Sequence, residues 1–319
     1  MRELVLGIDL GATKILTGIL NKDGRIIGKK RQPTPLGNAS EVLDFMVEST
    51  LQLMNAYGVL QEEITGIAVA SPGPLAFPEG IVIDSPNLSW GRVELKEELA
   101  RRLGRPVIVE NDTNMAVLGE YHYGRSCLSQ ELIYITISTG IGAGIITAGN
   151  LHRGRKGGAG EVGHMVIKAG EEQCQCGKRG CLEALAGGRA IEKRVQEMIK
   201  MGRGQGILAC TDPGEAAGPR HLGMAARLGD KEAVDLIAQL VEYLGIGIVN
   251  LVNILNPEAI ILGGGVMLGL KDLLLEPVKK YVWQNALALN REHLVIDCTG
   301  LGEDIVLYGC LAVINHGGY

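Results

Sequence analysis

The sequence predicts an α/β chain of two domains, and three observations carry that prediction. Patterns of short apolar strands and amphipathic helices alternate from end to end. One strand–turn–strand–turn pattern occurs twice, as LGIDLGATKILTGILNKDG near the start and as ITISTGIGAGIITAGNLHRG in the middle. Glycine takes 46 of 319 positions and gathers in turns behind apolar runs, where a bare backbone can approach a ligand closely. The length suits two domains of ordinary size.

The first ribbon reads as strand Leu4–Asp9, a Gly-rich turn, strand Ile15–Leu20, a turn at Asn21–Gly24, and strand Arg25–Gln32. Val42, Phe45, Met46, Thr50, Leu51 and Met54 recur at helical spacing, which predicts a helix over Ser40–Tyr57. Ile64–Ala70 reads as a buried strand ending in the Ser71–Pro74 loop, and Leu95–Leu103 as a short helix. Val107–Val109 is a strand that runs into Glu110–Asn111–Asp112. The second ribbon has strands at Glu131–Ser138 and Ala143–Ala148, the turn Thr139–Gly144 joining them, and a turn at Gly149–Asn150. A helix at Ala190–Met201 follows. Gly202–Pro219, rich in glycine, proline and polar residues, reads as a mobile loop. Lys231–Leu255 has the apolar content of a long buried helix, stopped before Pro257. Ile260–Leu262 is a strand, Gly263–Gly265 a tight turn, and Leu270–Ala286 mostly helix. The last helix, Asp304–Ile314, has Glu303 and Asp304 favourably placed at its positive end.

With 46% hydrophobic but only 4% aromatic residues, the core must be built from aliphatic side chains and alanine. A net charge of −5 lacks the basic footprint of a nucleic-acid binder. Seven cysteines, an odd number, suit a reducing cytosol better than a disulfide framework. No signal-peptide pattern precedes the first strand. The most apolar run, LGIGIVNLVNILNPEAIILGGGVMLGL, is broken by Asn250, Asn253, Asn256 and Pro257, so it reads as helix, turn and strand and not as a bilayer span. The expectation is a soluble cytoplasmic protein with no membrane contact.

His164, Cys174, Cys176 and Cys181 fall in GHMVIKAGEEQCQCGKRGCLE and offer one imidazole and three thiols. That is the ligand set of a closed tetrahedral zinc site, and the CGKRGC turn lets the sulfurs face one ion. Ordinary thiols or a redox pair are the alternative. Cys-x-Cys is a strained disulfide geometry, however, and no Cys-x-x-Cys motif occurs. Cys127, Cys210, Cys298 and Cys310 are scattered and read as ordinary thiols.

No Walker A sequence is present, and no G-x-G-x-x-G opens a helix after a strand. Three other Gly-rich turns follow apolar strands: Gly11–Lys14, Thr139–Gly144 and Gly263–Gly265. Such turns can aim backbone N–H groups at phosphate oxygens, with Thr13 and Thr139 adding hydroxyls. Asp9, just before the first turn, is placed to hold a hydrated Mg²⁺. Each turn alone reads as a plain hairpin turn, and Lys14 alone as a solvated charge; the matched pair of ribbons is what points to polyphosphate.

Asn111 and Asp112 stand at the carboxyl end of a strand and before the apolar pattern Met115, Val117, Leu118. Ligands collect at that end of a strand in α/β proteins, and an N-cap role is equally compatible. An ionised Asp112 can accept a proton from a hydroxyl. Asn87, Asn111, Asp112, Glu161, His164 and Glu183 together supply the carboxylates and amides that a small polyol needs.

These motifs resemble the ROK family of sugar kinases and regulators. The resemblance covers essentially the whole chain and rests on GIDLGATK, ENDTNMAVLGE, ITISTGIGAGII, GEVGHMVI with CQCGKRGCLEALAGG, and LNPEAIILGGGVM. It implies the actin-like ATPase and hexokinase-type fold, with a cleft between a small domain (1–111 plus 304–319) and a large one (112–303, with the zinc segment 161–183). It implies ATP with Mg²⁺ as phosphoryl donor, a hexose as acceptor, structural Zn²⁺ and a homodimer. By the resemblance Asp112 is the base for the sugar 6-hydroxyl, and Asn111, Glu161, His164 and Glu183 bind sugar, with Gly73 and Asn87 closing the pocket. Thr13, Lys14, Thr139 and Gly140 match phosphate contacts, Gly263, Gly264 and Gly265 the adenosine side, and Asp9 and Gly11 lie in the first nucleotide turn. The CGKRGCLE segment resembles that of bacterial glucokinases, so glucose is the expected hexose; N-acetylglucosamine, N-acetylmannosamine, mannose, fructose and allose are alternatives. Family repressors carry a helix-turn-helix domain ahead of the first strand, whereas only Met1, Arg2 and Glu3 precede it here. A kinase is therefore expected, and no nucleic-acid partner.

Overall fold

A computed structural model describes residues 2–83, Ser85, Leu88, 90–126 and 129–317. The chain forms two compact units: Met1–Gln130 with Gly144–Ala159 and Glu303–Tyr319, and Glu131–Ala143 with Gly160–Gly302.

The first unit opens with the antiparallel ribbon β1 (Leu4–Leu10), β2 (Lys14–Asn21) and β3 (Ile26–Pro33). Helix α1 (Ala39–Ala56) starts in a capping box, where the Asn38 side chain accepts from Glu41 N–H and the Glu41 carboxylate accepts from Asn38 N–H. β4 (Ile64–Ser71) then returns parallel to β1. A small hairpin, β5 (Leu75–Ala76) and β6 (Ile81–Val82), precedes α2 (Leu95–Leu103), which stops at left-handed Gly104. β7 (Val107–Asn111) lies parallel to β4 and feeds directly into α3 (Asp112–Tyr123). Leu4, Leu6 and Ile8 of β1 enter a core with Leu43 and Met46 of α1 and Leu99 of α2. Val5 on the opposite face packs with Leu307 and Leu311. The period-two alternation of a strand thus fills both faces of one sheet.

The second half introduces β8 (Leu132–Ile137), β9 (Ile141–Thr147) and β10 (Asn150–Leu151). Helices α4 (Leu182–Ala186), α5 (Gly188–Lys200), α6 (Gln205–Ala209), α7 (Pro219–Arg227) and α8 (Lys231–Leu255) follow. Then come β11 (Ala259–Gly263), α9 (Gly265–Gly269), α10 (Lys271–Asn285), α11 (Ala288–Arg291), β12 (Val295–Cys298) and α12 (Ile305–His316). The two sheets have strand orders β3-β2-β1-β4-β7 and β10-β9-β8-β11-β12. β8 takes the place of β1, β11 that of β4 and β12 that of β7, with β11 parallel to both neighbours as β4 is. The repeat in the sequence is a repeat in topology.

Two expectations change. The division expected at 111/112 falls elsewhere, because α3 packs along α12 and stays in the first unit. The two helices approach so closely that a Cβ at Gly309 would lie 1.8 Å from the Met115 carbonyl oxygen. The stretch 202–219 is not a bare loop: it holds α6, and Pro219 opens α7 at a position that needs no N–H. Helix α8 ends as expected, at left-handed Asn256 before Pro257. Among the described residues it is the one helix long and apolar enough by composition to cross a membrane, yet over half of its most apolar window is buried. It packs against α4, α7 and α10, as a core helix does.

Candidate active site

In the first unit the expected residues converge at the carboxyl ends of β1, β4 and β7. The β1–β2 turn is closed by Gly11 N–H donating to the Lys14 carbonyl at 2.9 Å. It is braced by the Thr34 hydroxyl, which donates to the Gly11 carbonyl at 2.7 Å. Thr13 is exposed on the turn. Lys14 is half-buried and lies 3.7 Å from Glu303, so its charge is partly met within the unit. Asp9 is the last residue but one of β1, and its carboxyl is pushed up to about 7, by burial first and then by the negative charge of Asp112, against the opposing pull of Lys14. An acid so disfavoured as an anion fits a hard divalent cation, which would restore the charged form.

Asn111 and Asp112 form the corner between β7 and α3. The Asn111 side chain caps the helix, accepting from Thr113 N–H at 3.0 Å, Asn114 N–H at 3.2 Å and the Thr113 hydroxyl at 2.6 Å. Asp112 Oδ1 accepts from Thr113 N–H at 2.8 Å. The N-cap reading of this corner therefore holds for Asn111. Ser71 at the end of β4 pairs with Asn111, and a Cβ at Gly73 would stand 3.5 Å from Asn111 Nδ2, so Gly73 does border the corner. Asn87 lies outside the described residues.

In the second unit Glu183 is the hub. Its Oε2 accepts from Ile141 N–H at 2.8 Å, and a Cβ at Gly140 would come within 2.2 Å of that oxygen. Its own Cβ would lie 3.3 Å from one at Gly163, the residue before His164. The turn Thr139–Gly140 is docked on the start of α5, since Gly188 N–H and Arg189 N–H donate to the carbonyls of Ser138 and Thr139 at 2.8 and 3.1 Å. Gly264, with φ +88°, presses against the end of β8: a Cβ there would lie 2.4 Å from the Ile137 carbonyl oxygen. The turns 139–140 and 263–265 are thus neighbours, with Glu183 and the Glu161–His164 turn beside the first of them.

The segment 165–181 is held by backbone hydrogen bonds, among them Ile167 N–H to Gly180 O at 2.9 Å and Cys174 N–H to Lys178 O at 2.8 Å. Its side chains contribute little apolar burial beyond Cys174 and Cys181. The four expected ligand atoms lie within 4.8 Å of one another. Cys174 Sγ is 3.6 Å from His164 Nδ1, and Cys176 Sγ is 3.7 Å from Cys181 Sγ. A tetrahedron drawn with ordinary Zn–S and Zn–N bonds has edges of about 3.5–3.8 Å, so these spacings fit the ion, whereas a disulfide at ~2.05 Å does not. Without a cation, burial and the neighbouring thiols push Cys181 up to about 12. The second ring nitrogen of His164, Nε2, lies 3.8 Å from the Glu161 carboxylate, beyond hydrogen-bond reach.

Two residues that the sequence reading passed over stand out in the first unit. Glu110, 2% exposed, takes hydrogen bonds on both carboxylate oxygens, and Arg153 supplies the opposing charge. The available signal was an acidic residue directly after the apolar run VIV in strand VIVEN.

Fold and site together define an α/β protein of duplicated sheets, in the actin-like ATPase and hexokinase-type fold, with Gly-rich turns at the strand ends of both halves. A profile of the ROK family matches residues 5–316, and the chain belongs to that family. It is 33% identical over 314 residues to a glucokinase of Thermotoga maritima, covering 98% of this chain and 97% of the relative. It is 32% identical over 312 residues to a putative xylose repressor of Caldicellulosiruptor sp., covering 98% of this chain and 78% of the relative. Its structure is similar to that of a ROK family glucokinase from Streptomyces griseus in complex with glucose and AMPPNP, at 31% identity and a TM-score of 0.85, covering 98% of this chain and all of that one.

Proposed function

We propose that this chain is a cytoplasmic, ATP-dependent sugar kinase that phosphorylates the 6-hydroxyl of a hexose, with glucose the first choice. The observation that carries the reading is the β7–α3 corner, where a capped helix start holds Asp112 beside Asn111 and near the Asp9 carboxyl. Asp112 accepts the 6-hydroxyl proton as the sugar oxygen bonds to the γ-phosphorus; the bond from that phosphorus to the β,γ-bridging oxygen breaks, and ADP leaves with the electron pair. Little base strength is required, because the transition state of phosphoryl transfer is loose and positioning dominates. Asn111, Glu161, His164 and Glu183 orient the sugar hydroxyls, and Gly73 leaves room beside Asn111. Thr13, Lys14, Thr139 and Gly140 receive phosphate oxygens, and Gly263–Gly265 the adenosine side. Mg²⁺ held through Asp9 would supply charge neutralisation on the phosphates. Zn²⁺ held by His164, Cys174, Cys176 and Cys181 would supply a fixed loop and a fixed imidazole.

The likeness to a glucokinase of Thermotoga maritima over 98% of this chain supports glucose. Selection among hexoses turns on a few contacts at the sugar's 2-position, so N-acetylglucosamine and N-acetylmannosamine form the second choice. A sugar-responsive regulator is a further reading, favoured by the likeness to the putative xylose repressor. ADP release by the purified chain with a panel of hexoses and acetamido sugars at fixed ATP tests all three. Turnover with glucose at the highest kcat/KM supports the reading; no turnover with any sugar of the panel rejects it. Sedimentation of the same preparation tests the homodimer that the family resemblance implies.

A further inference from the structure

Behind the β7–α3 corner lies a buried ion pair with no part in the chemistry just described. Glu110 Oε1 accepts from Asn111 N–H at 2.8 Å and from Asn114 Nδ2 at 3.0 Å. Its Oε2 accepts from Arg153 Nε at 2.8 Å and lies 2.8 Å from the terminal nitrogen of the same guanidinium, as an ion pair. One carboxylate therefore gathers three hydrogen bonds, from the corner itself, from the first turn of α3 and from a residue 43 positions along the chain. The side chain of Glu110 is 2% exposed and that of Arg153 16%. The guanidinium carbon sits over Phe77, 4.0 Å from the ring centroid. The Arg153 carbonyl also accepts from Ala159 N–H at 3.1 Å, which closes its loop on itself.

A pair this buried is a poor way to gain stability. Desolvating two charges is costly, and apolar residues of the same volume often serve stability as well or better. What the charges add is direction. The carboxylate plane, fixed on one side by Arg153, fixes Asn111 N–H and the Asn114 amide on the other, and those two groups flank Asp112 in sequence. Arginine suits this use because its fork is rigid and its face stacks on an aromatic ring.

We infer that Glu110 and Arg153 form a clamp that aims the Asn111–Asp112 corner, both acting as positioning residues through Asn111 N–H and Asn114 and neither touching substrate. The inference rests on the kinase reading above. The test measures hexose phosphorylation by the full chain carrying Arg153→Met, Glu110→Gln, both together, or Arg153→Lys, with sugar affinity measured by calorimetry and folding by circular dichroism. Misdirecting a base without removing it lowers kcat by about 10²-fold while sugar affinity and the KM for ATP stay within about threefold. The double variant should be no worse than the more damaged single one, since both break the same clamp, and Arg153→Lys should recover part of the lost kcat. Phe77→Leu leaves the ion pair in place and removes only its stacking face; kcat should drop severalfold with the fold intact, which keeps the test decisive where Arg153→Met does not fold. Wild-type kcat in folded Arg153→Met and Phe77→Leu overturns the clamp, and so does a loss that appears in sugar affinity and not in kcat. A wild-type chain without turnover removes the kinase reading and the clamp with it.

Discussion

The corner that carries Asp112 and the loop that carries the cysteines reach order by opposite routes. At the corner, Asn111 caps α3, Glu110 binds its backbone, and the strand behind belongs to a five-stranded sheet packed on both faces. The loop 165–181 has backbone hydrogen bonds and a cluster of four soft ligand groups, with few apolar side chains to bury. A segment that cannot offset its ordering entropy with apolar burial needs another source of stabilisation, and a bound cation is one. The corner should therefore survive changes that dissolve the loop, and the reverse should also hold.

Four experiments break or sharpen that contrast. The largest effect is expected from Asp112→Asn, which removes the proton acceptor and should cut kcat by roughly 10²–10⁴-fold while calorimetry finds sugar affinity nearly intact. Next, Cys176→Ser with Cys181→Ser should abolish bound zinc by elemental analysis and expose residues 165–181 to fast hydrogen exchange. Through His164 and Glu161 this should weaken kcat/KM by roughly 10–100-fold, while exchange in α3 stays unchanged. Protection retained in the loop after metal loss would show that the loop orders itself. A smaller effect is expected for Asn111→Ala, where a lost N-cap costs about 1 kcal/mol in denaturant unfolding, together with a raised sugar KM.

The smallest effect concerns pH and leaves the loop out altogether. His122 on α3 stacks on His316 of α12 with ring centroids 4.0 Å apart, and burial followed by repulsion from His316 lowers it to about 4 from its ordinary 6.5. The unfolded chain binds this proton more readily than the folded one, so the stability linked to His122 is complete above pH 6.5 and is lost as pH falls through 4. His122→Gln should flatten the Tm profile between those limits; an unchanged profile would mean that other groups govern acid unfolding.

Much of this was legible in the chain before any coordinates. The repeat of LGIDLGATK and ITISTGIGAG is local strand-and-turn chemistry, and it became the matching strand orders of the two sheets. The four metal-type ligands sit within 18 residues of sequence, so their convergence needed only short turns. The helix end at Asn256 and Pro257 is likewise a local signal. Helix α6 escaped notice because its five residues lie among glycines and carry no amphipathic period. The 111/112 boundary was misplaced because helix packing through Gly119 and Gly309 joins positions 190 apart. Glu110 gave a faint signal as an acid in a buried strand, but nothing near it in sequence named Arg153 as its partner.

The sequence by itself determined the α/β class, the doubled ribbon, the glycine turns and the grouping of three thiols with one imidazole. Each of those depends on backbone preference or side-chain chemistry within a few neighbouring residues. Only the tertiary structure decided that α3 belongs with α12, that Glu183 holds Ile141 N–H beside Gly140, and that Arg153 balances Glu110. Those outcomes follow from burial: a charge or N–H removed from water must find a partner wherever the packed chain brings one, however distant it is in sequence.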